Sequence, residues 1–296
     1  MKHSLKIIAI LISMFFVTQL IGLFVVNAYA SNNDAVPFGL SPPEDVNPTT
    51  SLASISFAIV FAVLLMFLLM KFRTEWLLRL WFFLVITLAL GITINALFLS
   101  INLTSASIIS LIIALPLAFL KVFRRGILVH NLTELLIYPG IAVIFVPLLN
   151  LWTVIMLLIL ISLYDMYAVW QSGFMQKMAK YQIQTLKIFS GFFIPYLGKK
   201  ERDMLNKAKS SKGGISNKKI KVNLAILGGG DVVFPIILAG VVLRQFGLFS
   251  ALIVSICATL ALAGLFYISK KGKFYPAMPF ISAGCFIGLG IISLLQ

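Results

Sequence analysis

Apolar runs about twenty residues long recur from one end of this chain to the other and leave it few folds to adopt. A hydrocarbon core about 30 Å thick is crossed by about 20 residues of helix. Stretches of that size occupy residues 7–28, 51–70, 76–99, 105–123, 131–149, 151–171, 222–245, 247–268 and 275–295. Backbone amides find no water inside lipid, so each run is read as a helix that satisfies its own hydrogen bonds. The expected fold is therefore all-α: a polytopic membrane protein with nine transmembrane helices. Composition closes the alternative, because 60% hydrophobic and 11% charged residues with a mean hydropathy of +1.05 exclude a water-soluble globule.

A net charge of +15 would suggest nucleic acid if the basic residues formed a patch on a soluble domain. They fall between apolar runs instead, so they are read as topology signals and contacts with anionic lipid, and no nucleic-acid partner is expected. With alternating sides, every Lys and Arg except Arg244 lies on the side of the N-terminus, including Lys71, Arg73, Lys121, Arg124, Arg125 and the cluster Lys270, Lys271 and Lys273. The positive-inside rule then places the N-terminus in the cytoplasm and the C-terminus outside, with the cell membrane as the expected location. Ala28-Tyr29-Ala30 before Ser31 has the small-residue pattern of a cleavage site. The run ahead of it exceeds the usual 7 to 15 or so apolar residues of a signal peptide, so it is read as a full span, with a cleaved signal as the alternative.

Three parts are expected: residues 1–171 with six spans, a cytoplasmic loop over 172–220, and residues 221–296 with three spans. Lys177, Lys180, Gln184 and Lys187 share one helical face in the loop, which suits a helix lying in the headgroup region or a solvated linker. Residues 31–50 are rich in proline and polar groups and read as a loop. Gly91, Pro116, Pro139 and Pro147 imply kinks and close packing, and Glu134, near the start of its span, is read as interfacial.

Among nine acidic residues, only Asp165 and Asp231 stand well inside spans. An aspartate at the centre of a membrane helix costs roughly 2.5 to 3.5 kcal/mol and usually faces a bundle interior where a partner waits. Counted at 1.5 Å per residue, Asp165 lies about 9 Å and Asp231 about 15 Å from the cytoplasmic ends of their spans, so one level can hold both. Two facing carboxylates in a low-dielectric site cannot both ionise cheaply and are expected to share one proton, which supplies a base and an acid at once. The bland alternative is a pair of buried acids that merely lock helices together. Gly228, Gly229 and Gly230 just before Asp231 shield no backbone and let other groups approach. Cys257 and Cys285 sit in apolar segments and His3 and His130 are the only histidines, so neither a disulfide framework nor a metal site is expected, and no cofactor.

Tyr164-Asp165, Gly228-Gly229-Gly230-Asp231 and Pro276-Ala277-Met278 resemble, in that order, the YD, GxGD and PAL motifs of the presenilin and signal peptide peptidase family. The resemblance extends to nine spans and a long loop between the acids, and Met278 departs from it by standing where the family has leucine. It implies intramembrane aspartyl proteolysis, with Asp165 and Asp231 as catalytic pair and Tyr164, Gly228, Gly229, Gly230, Pro276, Ala277 and Met278 as substrate-binding residues. The implied partners are transmembrane-helix substrates and the lipid bilayer, and a homo-oligomer is compatible with it. Without the resemblance, a cation channel or proton-coupled transporter using the same acids stands as the second reading. Against it, the chain has no inverted repeat and no second glycine-broken span at a related position.

Overall fold

Helix forms along most of each apolar run. The computed structural model describes residues 5–33, 35–40, 47–72, 75–99, 105–124, 126–172, 190–196, 223–269 and 275–295. Its helices are α1 (Leu5–Ala30), α2 (Pro48–Phe72), α3 (Glu75–Leu99), α4 (Ala106–Phe123), α5 (Ile127–Phe145), α6 (Leu151–Tyr167), α7 (Gly229–Ile268) and α8 (Met278–Leu295). A 3₁₀ turn, Val146–Leu148, follows α5, and a π turn, Ala168–Ser172, follows α6. Two strands, β1 (Gly191–Tyr196) and β2 (Asn223–Gly228), pair antiparallel with Gly191 opposite Gly228 and Tyr196 opposite Asn223. Among the described residues, seven helices are long and apolar enough to cross a membrane.

The polytopic all-helical architecture holds, but the described helices number eight, not nine. The expected spans 222–245 and 247–268 run together as α7, whose 40 residues would reach about 60 Å as a straight rod, twice the hydrocarbon thickness. Its direction breaks at Gly247, where φ 83° and ψ 176° lie outside any helical conformation and suit glycine. The helix thus has two arms, 229–246 and 248–268. The start of the expected seventh span is also corrected, since residues 223–228 are strand and helix begins only at Gly229. A continuous apolar run carries no mark of where one structure passes into the other, except that three successive glycines favour neither. The headgroup helix read from Lys177, Lys180, Gln184 and Lys187 lies outside the described residues.

The first arm of α7 is the centre of the bundle. Residues 235–243 are all buried, as expected for a helix apolar on every face. α1 and α5 pack directly on it, and α3 packs behind α5. Gly22 of α1 leaves room for the Ile236 side chain, and Gln19 Nε2 donates to the Val232 carbonyl at 3.1 Å. The sequence Ala28-Tyr29-Ala30 forms the last turn of α1, where Tyr29 is buried and donates its hydroxyl hydrogen to the Ile92 carbonyl at 2.8 Å. Gly91 permits the expected close packing, with the Phe38 ring seated against it, and Gly140 admits the Ala89 carbonyl in the same way. α8 lies along the second arm, with Gly284 and Gly288 facing Cys257 and Val254. Its other contact is α6, where Ser162 Oγ donates to Ser282 Oγ at 2.9 Å.

Candidate active site

Asp165 stands in the last turn of α6 and is 4% exposed. The register of α6 is set at its start by a capping box: Asn150 Oδ1 accepts the Thr153 N–H and Thr153 Oγ1 accepts the Asn150 N–H, both at 2.9 Å. A carboxylate at a helix C-terminus meets the unfavourable end of the helix dipole. α8 offsets this, because the Met278 N–H donates to Asp165 Oδ2 at 3.1 Å and the Ala277 N–H also reaches the carboxylate. Those donors sit at the start of α8, where backbone N–H groups have no partner within their own helix. Pro276 is buried just before them and Pro279 follows, so the approach to α8 is held by fixed φ angles.

Asp231 is the third residue of α7, and there it meets the favourable end of a helix dipole. Gly228 caps the helix and its N–H is accepted by the Asp231 carboxylate, a short loop closed within four residues. The fit is tight, since a Cβ on Gly228 would stand 3.1 Å from Asp231 Oδ2. The rise of 1.5 Å per residue counted from Lys221 does not apply over residues 223–228, which are extended. α6 packs against α7, so Asp165 in the last turn of the one and Asp231 in the first turn of the other belong to one candidate unit.

The remaining sequence candidates are distributed unevenly around that unit. Gly229 is buried and its missing side chain is replaced by Tyr138 and Ser190, whereas Gly230 is exposed and a Cβ there would meet only the Phe234 ring, at 3.6 Å. Tyr164 is 39% exposed beside Asp165, and the Met278 side chain is buried. Among the described residues no group of three or more His, Cys, Asp or Glu gathers to hold a metal.

Sequence reasoning missed a second polar group and the small sheet. Glu134, read as interfacial, is buried within the protein, at 1% exposure, and paired with the buried Lys121 of α4, which the charge pattern had marked as a topology signal. His130 Nε2 lies 2.8 Å from the Gly191 carbonyl, and Asn131 accepts the Phe193 N–H at 3.2 Å while donating to the Phe193 carbonyl at 3.0 Å. These contacts hang β1 on α5. The available signal was the spacing of His130, Glu134 and Tyr138, four residues apart on one face of a span.

The bundle is that of the polytopic intramembrane aspartyl proteases. The chain belongs to the signal-peptide peptidase, presenilin aspartyl protease family, whose model matches residues 12–296. Its fold is similar to that of a presenilin family intramembrane aspartate protease solved in space group C222, with a TM-score of 0.63 and 19% identity over 98% of this chain and 99% of that one. A structure of such a protease in space group P2 gives a TM-score of 0.63 and 18% identity over 97% of each chain. No curated protein matches the chain.

Proposed function

We propose that this intramembrane aspartyl protease hydrolyses peptide bonds in or near transmembrane helices of other membrane proteins, with Asp165 and Asp231 as the catalytic pair. The observation that carries the reading is the placement of these two acids on helices that pack together, Asp165 in the last turn of α6 and Asp231 in the first turn of α7. In an apolar setting they share one proton. The ionised member takes a proton from water as the water oxygen attacks the scissile carbonyl carbon, and the protonated member passes its proton to the carbonyl oxygen. When the resulting diol collapses, the C–N bond breaks, the nitrogen takes a proton from the pair, and a diol hydroxyl returns one. The pair ends with the single proton it began with.

A substrate helix hides its scissile amide in its own hydrogen bonds and must unwind first. β2 offers a template for the unwound strand. Its neighbour β1 has its outer edge occupied by His130 and Asn131, while Leu224 and Ile226 of β2 are exposed and, among the described residues, the outer edge of β2 makes no backbone hydrogen bond. That strand leads into Gly230, where the open space lets a peptide backbone come close to Asp231. Tyr164 and the Pro276-Ala277-Met278 segment border Asp165 from the other side. Orientation follows the basic loops, with the N-terminus cytoplasmic and the C-terminus outside in the cell membrane, and substrate enters sideways from lipid. The test uses protein purified in detergent with a single-span substrate. Wild type should yield two products, and Asp165→Asn and Asp231→Asn should yield none. Full cleavage by either variant, or acid-dependent proton flux without cleavage, would overturn the reading.

A further inference from the structure

His130, Glu134 and Tyr138 give α5 a row of imidazole, carboxylate and phenol about 12 Å long. The row starts at β1, where His130 meets the Gly191 carbonyl, and ends at the glycine turn that carries Asp231. Lys121 of α4 anchors its middle by pairing with Glu134 Oε1, and neither side chain of that pair is more than 2% exposed. A lone helix lock would need no more than this pair. The far end is different. The Tyr138 hydroxyl and Glu134 Oε2 are buried without a well-formed hydrogen bond, although the hydroxyl lies against Glu134 and Ser190. Leaving buried polar groups partly satisfied is costly, so a purely structural role does not account for that hydroxyl.

Its position does. A Cβ on Gly229 would stand 2.8 Å from Tyr138 Oη, Tyr138 Cε1 and Ser190 Oγ alike, so the phenol occupies the volume that a side chain at Gly229 would fill. The ring is steadied on its other side by Phe192 of β1 in an edge-on contact at 5.7 Å between centroids. Gly229 and Gly230 are the only residues between the cap Gly228 and Asp231, so whatever fixes Gly229 fixes the carboxylate. We propose that Tyr138 is a positioning residue for Asp231, its phenol wedged into the glycine turn and held there by the buried Lys121–Glu134 pair. The inference rests on Asp231 being a catalytic acid.

Tyr138→Phe removes the hydroxyl and keeps the ring. Cleavage of a single-span substrate should then show kcat reduced about tenfold with KM within about twofold and an unchanged thermal midpoint, because the acid is misaimed while the substrate path and the fold remain. Lys121→Met/Glu134→Gln neutralises the pair without leaving an unpaired charge, and should lower kcat by a similar factor. Adding Tyr138→Phe to that double variant should cost no more than about twofold further, since the three act as a unit. Gly229→Ala presses on the same phenol from the opposite side and should reproduce the loss of kcat. Wild-type kcat in Tyr138→Phe, a loss of kcat that only follows a fallen thermal midpoint, or fully multiplicative losses would overturn the proposal. Wild type and Asp231→Asn are run beside these variants. An inactive wild type removes the proteolytic reading and this inference with it, whereas an active wild type with an indifferent Tyr138→Phe removes this inference alone.

Discussion

The two acids of the site are held by opposite means. Asp165 belongs to a finished helix and takes its backbone donors from a segment more than a hundred residues away, at the start of α8. Asp231 takes its donor from Gly228, within its own turn, and stands where strand passes into helix. Tertiary packing therefore aims one carboxylate and local chain geometry aims the other. Damage to Asp165 should come from changes that move α8, and damage to Asp231 from changes that reshape three glycines.

The largest effect expected from this contrast is at Met278. Met278→Pro deletes the N–H that reaches Asp165 Oδ2 at a helix position where proline is otherwise tolerated, and should reduce cleavage about a hundredfold. Met278→Leu keeps the N–H and nearly the same volume, and should stay within about threefold of wild type. Equal behaviour of the two variants in a cleavage assay would mean that the side chain matters and the backbone donor does not. A smaller effect is expected on the local side of the comparison. Gly230→Ala meets no steric conflict within the chain, so the thermal midpoint should hold or rise, while kcat/KM falls about tenfold through KM because the open space beside Asp231 is narrowed. A fall in stability with unchanged KM would show that the space serves the fold. The smallest effect belongs to Ser162→Ala, which loses the hydrogen bond to Ser282 and about 1 kcal/mol of stability, with cleavage reduced no more than about threefold. A calorimetric midpoint identical to wild type would mean that this bond adds nothing to the α6–α8 contact.

The same contrast separates what could be read in the sequence from what could not. Most of the spans follow from run length, and Asp165 and Asp231 stood out because an acid in a long apolar run needs a reason. Where β2 ends and α7 begins could not be read from hydropathy, because Leu224 to Leu227 are as apolar in a strand as in a helix. β1 was hidden for a related reason, since Gly-Phe-Phe-Ile-Pro-Tyr is short, contains proline and takes its order from Asn131 and His130 of another element. Lys121 was read as a topology signal from its charge and Glu134 as interfacial from its place near the start of a span, and only the packing of α4 on α5 reveals them as a buried pair. Spacing along one helix shows which residues share a face, but not what that face meets.

The central claim is that Asp165 and Asp231 work as a single unit, and single-turnover cleavage by Asp165→Asn, Asp231→Asn and the double variant tests it most directly. Each single variant should lose on the order of a thousandfold or more, and the double variant should be no slower than either. Substantial cleavage by one of the single variants, or a double variant whose loss equals the product of the two, would contradict the account.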